Sequence, residues 1–389
     1  MNTILSSILL IVIYNITRLY AWLVPIRKNR FVFFSMGGNN YGDSVKCLSD
    51  YILTHHQVAE IVWAFSRYYY DKVECEHKEV VYGSFRYYYY VISSKYYITN
   101  CYAPLMAIKR RGQVMLQTWH GTALKRIGHD GKGGDHSSLI SLIRPNTYKA
   151  AARDFDYFIS GSRFMTDVYH RALDYPKKID EVGMPRNDIF FQKRPQIMTK
   201  VKQWIHVDEK VKIILYTPTF RPDFGFTYYD VDLSVIKEYF ERATKEEYAV
   251  LVRLHPRMMS KSAEFDAHWG KDHFYDVTLY PDMQELLYAA DVLVTDYSST
   301  MFDFMLSMKP VILYTPDKET YNRGFYFDID ELPFIIANNN EELPLALENF
   351  KENEYVQKVS QFLERIGNVE TGHATEESYR LLVGGNNVI

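Results

Sequence analysis

Two histidines stand where apolar runs of the chain end. Gln117-Thr118-Trp119-His120-Gly121-Thr122 closes one run, and Arg253-Leu254-His255-Pro256 closes another. Near neutral pH an imidazole can take a proton and pass it on, so a histidine released at a strand end is suited to general-base work. Taken alone, each is better read as a loop-ordering histidine bonded to backbone. The pair, one in each half of the chain, is harder to dismiss. Around them stand groups suited to phosphate. Lys125 and Arg126 follow His120, and the loop from Gly128 to Gly134, with Asp130 and His136 nearby, is a weak candidate for a phosphate lid. Tyr216-Thr217-Pro218-Thr219-Phe220-Arg221 ends another apolar run in an arginine, whose planar fork donates two parallel charged hydrogen bonds. The run Val292 to Thr295 passes through Asp296 and Tyr297 into Ser298, Ser299 and Thr300, which open an expected helix from Met301 to Leu306. Free amides at a helix start attract phosphate, and hydroxyls add donors. The competing reading is a mere cap, since Thr300-x-x-Asp303 is a capping-box variant. Asp296 would repel a nearby anion, so its expected part is to orient a donor or the acceptor. No Cys, His or carboxylate stands at ligand spacing around either histidine, so metal-independent chemistry is expected.

Such residues need strands to carry them. Phe31–Ser35, Ile61–Phe65, Tyr96–Asn100, Val114–Trp119 and Tyr157–Ser160 are short apolar runs separated by helix-like stretches. A second series follows at Lys212–Tyr216, Ala249–Leu254, Phe274–Asp276, Val292–Thr295 and Pro310–Tyr314. Strands alternating with helices imply parallel sheets, and the pattern occurs twice. The turn-rich Gly183-Met184-Pro185-Arg186-Asn187-Asp188 and the charged segment from Lys193 to Lys202 lie between the series. The expected domains are therefore residues 29–192 and 193–389, after a helix over 1–28. Two doubly wound α/β domains facing a cleft would bring ligands to the carboxyl ends of the strands.

Bulk properties narrow the class. A chain of 389 residues suits two domains, and a formal charge of -3 gives no electrostatic case for a nucleic-acid partner. Cys47, Cys75 and Cys101 are odd in number and lack metal spacing, which fits a reducing compartment and a cytoplasmic body. The 33 tyrosines cluster at Tyr68–Tyr70, Tyr87–Tyr90 and Tyr96–Tyr97, either as a membrane-interface surface or as ordinary core. Thr3 to Pro25 is mostly apolar, yet its longest unbroken stretch, Ile8 to Tyr14, is short of the roughly 20 residues a span needs. Leu5, Leu9, Val12, Ile16, Leu19 and Leu23 share one helical face, and Arg27, Lys28 and Arg30 follow. That pattern predicts a peripheral helix at anionic headgroups, the alternative being a helix buried against the first domain.

In order along the chain, Trp119-His-Gly-Thr122, Gly183-x-Pro-Arg-x-Asp188, Thr219-Phe-Arg221, Arg253-x-His-Pro256, Thr295-Asp-Tyr-Ser-Ser299 with Phe302-Asp303, and Lys309-Pro-Val-Ile312 resemble the motifs of the CDP-glycerol glycerophosphotransferase family. These are the glycerol-phosphate primases and polymerases of bacterial teichoic acid synthesis. The resemblance spans about Phe31 to Asp328. It implies a GT-B fold, CDP-glycerol as donor substrate with no further cofactor, and peripheral attachment to the cytoplasmic face of the cell membrane. Its implied acceptor is a polyprenyl-diphosphate-linked disaccharide or the glycerol-phosphate-primed form. It also implies roles. His120 would deprotonate the acceptor hydroxyl and His255 would face the donor phosphates. Arg221 and Arg253 would bind those phosphates, Ser298, Ser299 and Thr300 would hold the diphosphate with Asp303 beside them, and Asp282, Met283 and Gln284 would meet the cytidine. Trp119, Gly121, Thr122 and Lys125 would form the acceptor or phosphate loop, while Asp296 and Arg186 receive no definite role. Large polymerases of the family carry an additional N-terminal region beyond this chain's length, which favours a primer-type or limited-extension enzyme. A CDP-ribitol enzyme, a nucleotide-sugar glycosyltransferase of the same fold and a non-catalytic binding module are the alternatives, the last opposed by the retained histidine pair.

Overall fold

The computed structural model describes residues 12, 15–16, 19–56, 58–70, 72–73, 75–101, 109–131, 152–221, 228–255, 258, 274–321 and 324–384. Its chain divides into two compact units. One comprises residues 1–120, 127–188 and 368–389; the other comprises 121–126 and 189–367.

The first unit is built on strands β1 (Arg27–Phe34), β2 (Glu60–Phe65), β3 (Lys78–Val81), β4 (Ser94–Thr99), β5 (Val114–Gln117) and β6 (Tyr157–Phe158), with helices α1 (Asp43–His55), α2 (Phe85–Ser93) and α3 (Arg163–Leu173). All strand pairs are parallel and the sheet order is β3-β2-β1-β4-β5-β6. Order therefore reverses between β1 and β4, and a ligand crevice forms where neighbouring connections leave to opposite faces. The residues just past β1 and β4, Ser35, Met36 and Asn100, mark that point.

In the second unit the strands are β7 (Lys212–Thr217), β8 (Tyr248–Val252), β9 (Phe274–Asp276), β10 (Val292–Thr295), β11 (Val311–Tyr314) and β12 (Ile335–Ala337). The helices are α4 (Pro195–Trp204), α5 (Leu233–Thr244), α6 (Met283–Ala289), α7 (Thr300–Phe304), α8 (Leu343–Glu348) and α9 (Glu352–Arg365). The sheet order, β12-β11-β10-β7-β8-β9, repeats the first topology and puts the switch point between β7 and β10. Strands covered on both faces read as unbroken apolar runs, and β8, β10 and β11 are buried throughout.

The sequence reading locates ten of these strands within a few residues. It misses β3 and β12, an edge strand of each sheet. It also assigns the C-terminus to the second domain, whereas residues 368–389 belong to the first unit. The reason lies in the turn-rich motif. Both carboxylate oxygens of Asp188 accept amides, from Ala374 at 2.9 Å and Thr375 at 2.8 Å, at the start of α10 (Ala374–Gly384). Glu370 accepts from the Met184 amide and from Asn187, and Leu382 is wholly buried in the first unit's core. A carboxylate at a helix start satisfies amides that would otherwise lack partners.

The tyrosine runs divide between core and pairing roles. Tyr87 and Tyr97 are buried, Tyr96 stacks on Phe31 at 4.4 Å, and Tyr89 and Tyr90 flank the guanidinium of Arg30. Large exposed apolar side chains also stand earlier in the chain. Ala21 and Val24 pack against Ile92, while Leu19, Trp22 and Leu23 are 74%, 88% and 79% exposed. Val12 and Ile16, on the expected apolar face, are exposed as well; Leu5 and Leu9 lie outside the described residues. Among the described residues, no helix is long and apolar enough to cross a membrane.

Candidate active site

Strand β5 ends at Gln117, and the chain then turns sharply. Trp119 adopts φ 55 and Gly121 φ 131, conformations that an extended strand cannot continue. The turn is held because the Gln117 side chain accepts from the Trp119 amide at 2.9 Å and donates to the Cys101 carbonyl at 2.8 Å. Trp119 is buried against Tyr169 and stacks on the imidazole of His120, ring centres 4.5 Å apart. His120 Nδ1 lies 2.7 Å from the Asn100 carbonyl oxygen. A carbonyl only accepts, so Nδ1 carries the hydrogen and Nε2 keeps the lone pair. Burial lowers the imidazole's basicity, with the Arg186 charge acting in the same direction and the Asn100 bond and Asp43 charge acting against it. The ring is consequently neutral near pH 7, in the form a general base requires. Asn100 is itself locked at the switch point, accepting from the Met36 amide at 2.8 Å and donating to Ser35 Oγ at 3.1 Å.

Arg186, left without a role by the sequence, forms a 3.1 Å ion pair with Asp43. The Gly183-x-Pro-Arg-x-Asp188 motif thus makes three contacts within the first unit: Arg186 to α1, Asn187 to Glu370 and Asp188 to α10. The segment Gly121–Arg126 leaves for the second unit, where Lys125 bridges Phe325 and its ammonium lies 5.7 Å from the Tyr321 ring centre. Gly121 is buried and Thr122 half-buried. Gly128–Asp130 forms a single turn pinned by Arg171 to Asp130, and His136 lies outside the described residues.

Just past β7, at the switch point of the second unit, stands Arg221. Its guanidinium, 4% exposed, donates to Asp317 through Nε at 2.8 Å and through its second amino nitrogen at 3.1 Å, and to Asp296 at 2.7 Å. The flanking carboxylates drive its basicity further up against the effect of burial, and the rings of Tyr297 and Tyr321 lie about it. All three guanidinium nitrogens thus donate to buried carboxylates of the protein. Asp296 is likewise occupied by the fold: it accepts from the Thr219 amide at 3.0 Å, the Thr219 hydroxyl at 2.5 Å and Arg221. These bonds join the ends of β7 and β10. Asp317, just past β11, completes the cluster and went unnoticed in the sequence, although its position after a strand is the signal that singled out the others.

Helix α7 begins at Thr300, one residue earlier than expected, and is a short segment continued by a 3-10 turn over Met305–Ser307. The capping-box reading fails, because the cap residue is Ser299 and makes no side-chain cap bond, while Asp303 is buried. Thr300 Oγ1 instead donates to Ser298 Oγ at 3.0 Å, and Thr217 and Thr300 hydroxyls lie 3.4 Å apart. The result is a hydroxyl-lined strand end. His255 is exposed just beyond β8, its ring 5.5 Å from that of Phe220; Arg253 before it is half-buried, and Pro256 lies outside the described residues. Asp282 caps α6 by accepting from the Gln284 amide at 2.8 Å, with Met283 half-buried and Gln284 buried. Among the described residues no cluster of His, Cys, Asp or Glu could hold a metal ion.

Residues 16–384 match the family CDP-Glycerol:Poly(glycerophosphate) glycerophosphotransferase. The chain belongs to this glycerophosphotransferase family. It is 31% identical to the teichoic acid glycerol-phosphate transferase of Staphylococcus aureus over 90% of this chain and 91% of that protein. It is 27% identical to the teichoic acid poly(glycerol phosphate) polymerase of Bacillus spizizenii over 97% of both. Against the corresponding Bacillus subtilis polymerase it is 28% identical over 91% of this chain, but spans only 48% of that protein. A family member called a polymerase is thus matched along nearly its whole length, so length does not separate primer-type from polymerising enzymes. Solved structures of the wall teichoic acid polymerase TagF superpose with TM-scores of 0.82, for a histidine-to-asparagine variant soaked with CDPG, and 0.81, for a histidine-to-alanine variant. Both cover 98% of this chain and 97% of theirs, at 26% and 27% identity. At 11% identity, the S. aureus MnaA-UDP co-structure (TM-score 0.54) shares the fold alone.

Proposed function

We propose that the chain transfers glycerol phosphate from CDP-glycerol to a polyprenyl-diphosphate-linked acceptor in teichoic acid synthesis. The observation that carries the reading is His120, whose Nδ1–H is committed to the Asn100 carbonyl and whose Nε2 lone pair is therefore left to accept a proton. The acceptor hydroxyl gives its proton to Nε2 as its oxygen attacks the phosphorus bearing glycerol. The bond from that phosphorus to the bridging oxygen breaks, and CMP leaves with the electron pair. His255 and Arg253 serve the donor phosphates, and the hydroxyls of Ser298, Ser299 and Thr300 receive the diphosphate. Asp282, Met283 and Gln284 meet the cytidine. Arg221, Asp296 and Asp317 hold the strand ends in shape. Trp119, Gly121, Thr122 and Lys125 belong to the acceptor side.

Ribitol-phosphate polymerases of S. aureus are also relatives, at 27% and 25% identity, so CDP-ribitol is the second donor to consider. Calorimetric titration separates the readings. CDP-glycerol is expected to bind, with CDP-ribitol weaker and UDP-sugars showing no heat; tighter UDP-sugar binding would assign the chain to nucleotide-sugar chemistry.

The acceptor is carried by a membrane, and the N-terminal helix supplies the attachment at its cytoplasmic face. Leu19, Trp22 and Leu23 are exposed a few residues before the exposed Arg27 and Lys28, the combination that lodges a helix among anionic headgroups. Replacing all three by glutamate is expected to abolish co-sedimentation with vesicles containing anionic lipid while leaving the melting temperature unchanged. Undiminished sedimentation would remove this segment from the attachment.

A further inference from the structure

Asp43 is the first residue of α1 and adopts φ 67, a left-handed conformation unusual for a non-glycine residue. Strain of this kind persists only where surrounding groups fix it, and it clusters at functional positions. The fixing groups are visible. One carboxylate oxygen accepts from the Ser44 amide and the other from Arg186 at 3.1 Å. Both side chains are almost buried, at 10% and 7% exposure. Burying an ion pair gains little stability on balance, since removing both charges from water costs about what their attraction returns. The pair therefore calls for another explanation, and His120 supplies it.

Groups acting on the imidazole come from several elements. The Asn100 carbonyl, past β4, takes Nδ1–H; Asp43 acts from α1 and Arg186 from the 3-10 segment Pro185–Phe191, with opposite charges. Tyr169 of α3 lies against Trp119 and stays neutral, burial holding its phenol far above the ordinary value. Glu370, which acts on Tyr169 together with Asp43 and Arg186, is engaged by the Met184 amide and Asn187. The pair stands at the same switch point as the ring: Ser35 Oγ, which accepts from the Asn100 side chain at 3.1 Å, donates to the carbonyl of Gly42, the residue before Asp43, at 3.4 Å.

We propose that Asp43 and Arg186 are a charge-balanced positioning pair for His120: Asp43 stabilises the imidazolium formed when Nε2 takes a proton, and Arg186 fixes Asp43 and offsets part of its charge. The inference rests on the reading of His120 as the base. An unopposed carboxylate would leave the ring protonated over more of the working range, and an unopposed guanidinium would leave it too weak a base. The pair sets the ring between those limits.

The test is a histidine-labelled NMR titration of the full-length chain, with the His120 signal identified by its loss in His120→Gln, alongside the pH profile of CMP release. Asp43→Asn keeps an acceptor for the Ser44 amide and removes the charge; the His120 ring is expected to titrate at lower pH, with kcat reduced several-fold at nearly constant KM. Arg186→Gln is expected to move the titration the opposite way, and the double variant to return it towards the wild type. Should Arg186→Gln fail to fold, Arg186→Lys keeps the charge and is expected to titrate near the wild type, leaving Asp43→Asn to decide. An unchanged or raised titration in Asp43→Asn would overturn the proposal, as would shifts of the same sign in both single variants. Titration shifts in the expected directions without any CMP release from the wild type would uphold the pair and reject the transferase reading.

Discussion

His120→Ala is expected to lower turnover by about 10²- to 10⁴-fold, the usual contribution of a positioned base, with little change in CDP-glycerol binding. The argument is geometric. Nδ1 is committed to the Asn100 carbonyl and the ring is stacked on Trp119, so the imidazole presents a single lone pair in a fixed direction. Removing it takes away proton transfer, a transition-state interaction, so kcat falls while KM holds. The pH dependence follows from the lowered basicity of the ring. Activity should persist below the ordinary histidine range, about pH 6.5, and then decline as the ring is protonated. Stability carries the same sign. In the window between the ordinary histidine value and the lower folded one, the unfolded chain binds more protons, so the wild type loses stability as pH falls through it. His120→Ala should flatten that loss. CMP release beside thermal melts across pH measures all of these, and a variant that turns over normally removes His120 from the chemistry.

Arg221→Met is expected to cost roughly 3–5 kcal/mol of folding stability, because it leaves Asp296 and Asp317 buried without their cation. Arg221→Lys should recover little, since a single ammonium cannot reproduce contacts to two carboxylates made through three nitrogens. Equilibrium denaturation reads the effect directly. If Arg221→Met instead melts like the wild type while losing donor binding, the arginine contacts substrate phosphate after all, and the carboxylate cluster is not its principal task.

Arg221 also shows where sequence reading stops. The strand ends were legible because parallel strands covered on both faces appear as unbroken apolar runs, so the position of His120, His255, Arg221 and Ser298 at such ends followed directly. Which of them faces a ligand was not. An arginine after a strand looks the same whether its fork is open or closed on two carboxylates, and Asp317 lies 96 residues further along the chain. Asn100 and Asp43 were missed for a related reason: one acts through its backbone carbonyl, and the other through a carboxylate whose partner Arg186 lies 143 residues further along the chain, neither of which leaves a local pattern in side-chain types. The return of residues 368–389 to the first unit depends on Asp188 capping a helix 186 residues away, which no local period reveals. Of the apolar face the sequence displays, Val12, Ile16, Leu19 and Leu23 are exposed, as are Tyr20 and Trp22 beside it.

Mass spectrometry of the reaction product tests the central claim most directly. The full-length chain is incubated with labelled CDP-glycerol and a synthetic prenyl-diphosphate disaccharide, with and without a first glycerol phosphate unit, in vesicles. The account expects the acceptor to gain whole glycerol phosphate units, one CMP released for each, and both products to vanish with His120→Ala. An acceptor that stays unmodified while the wild type binds it, or that gains a sugar from a UDP donor instead, would contradict the account.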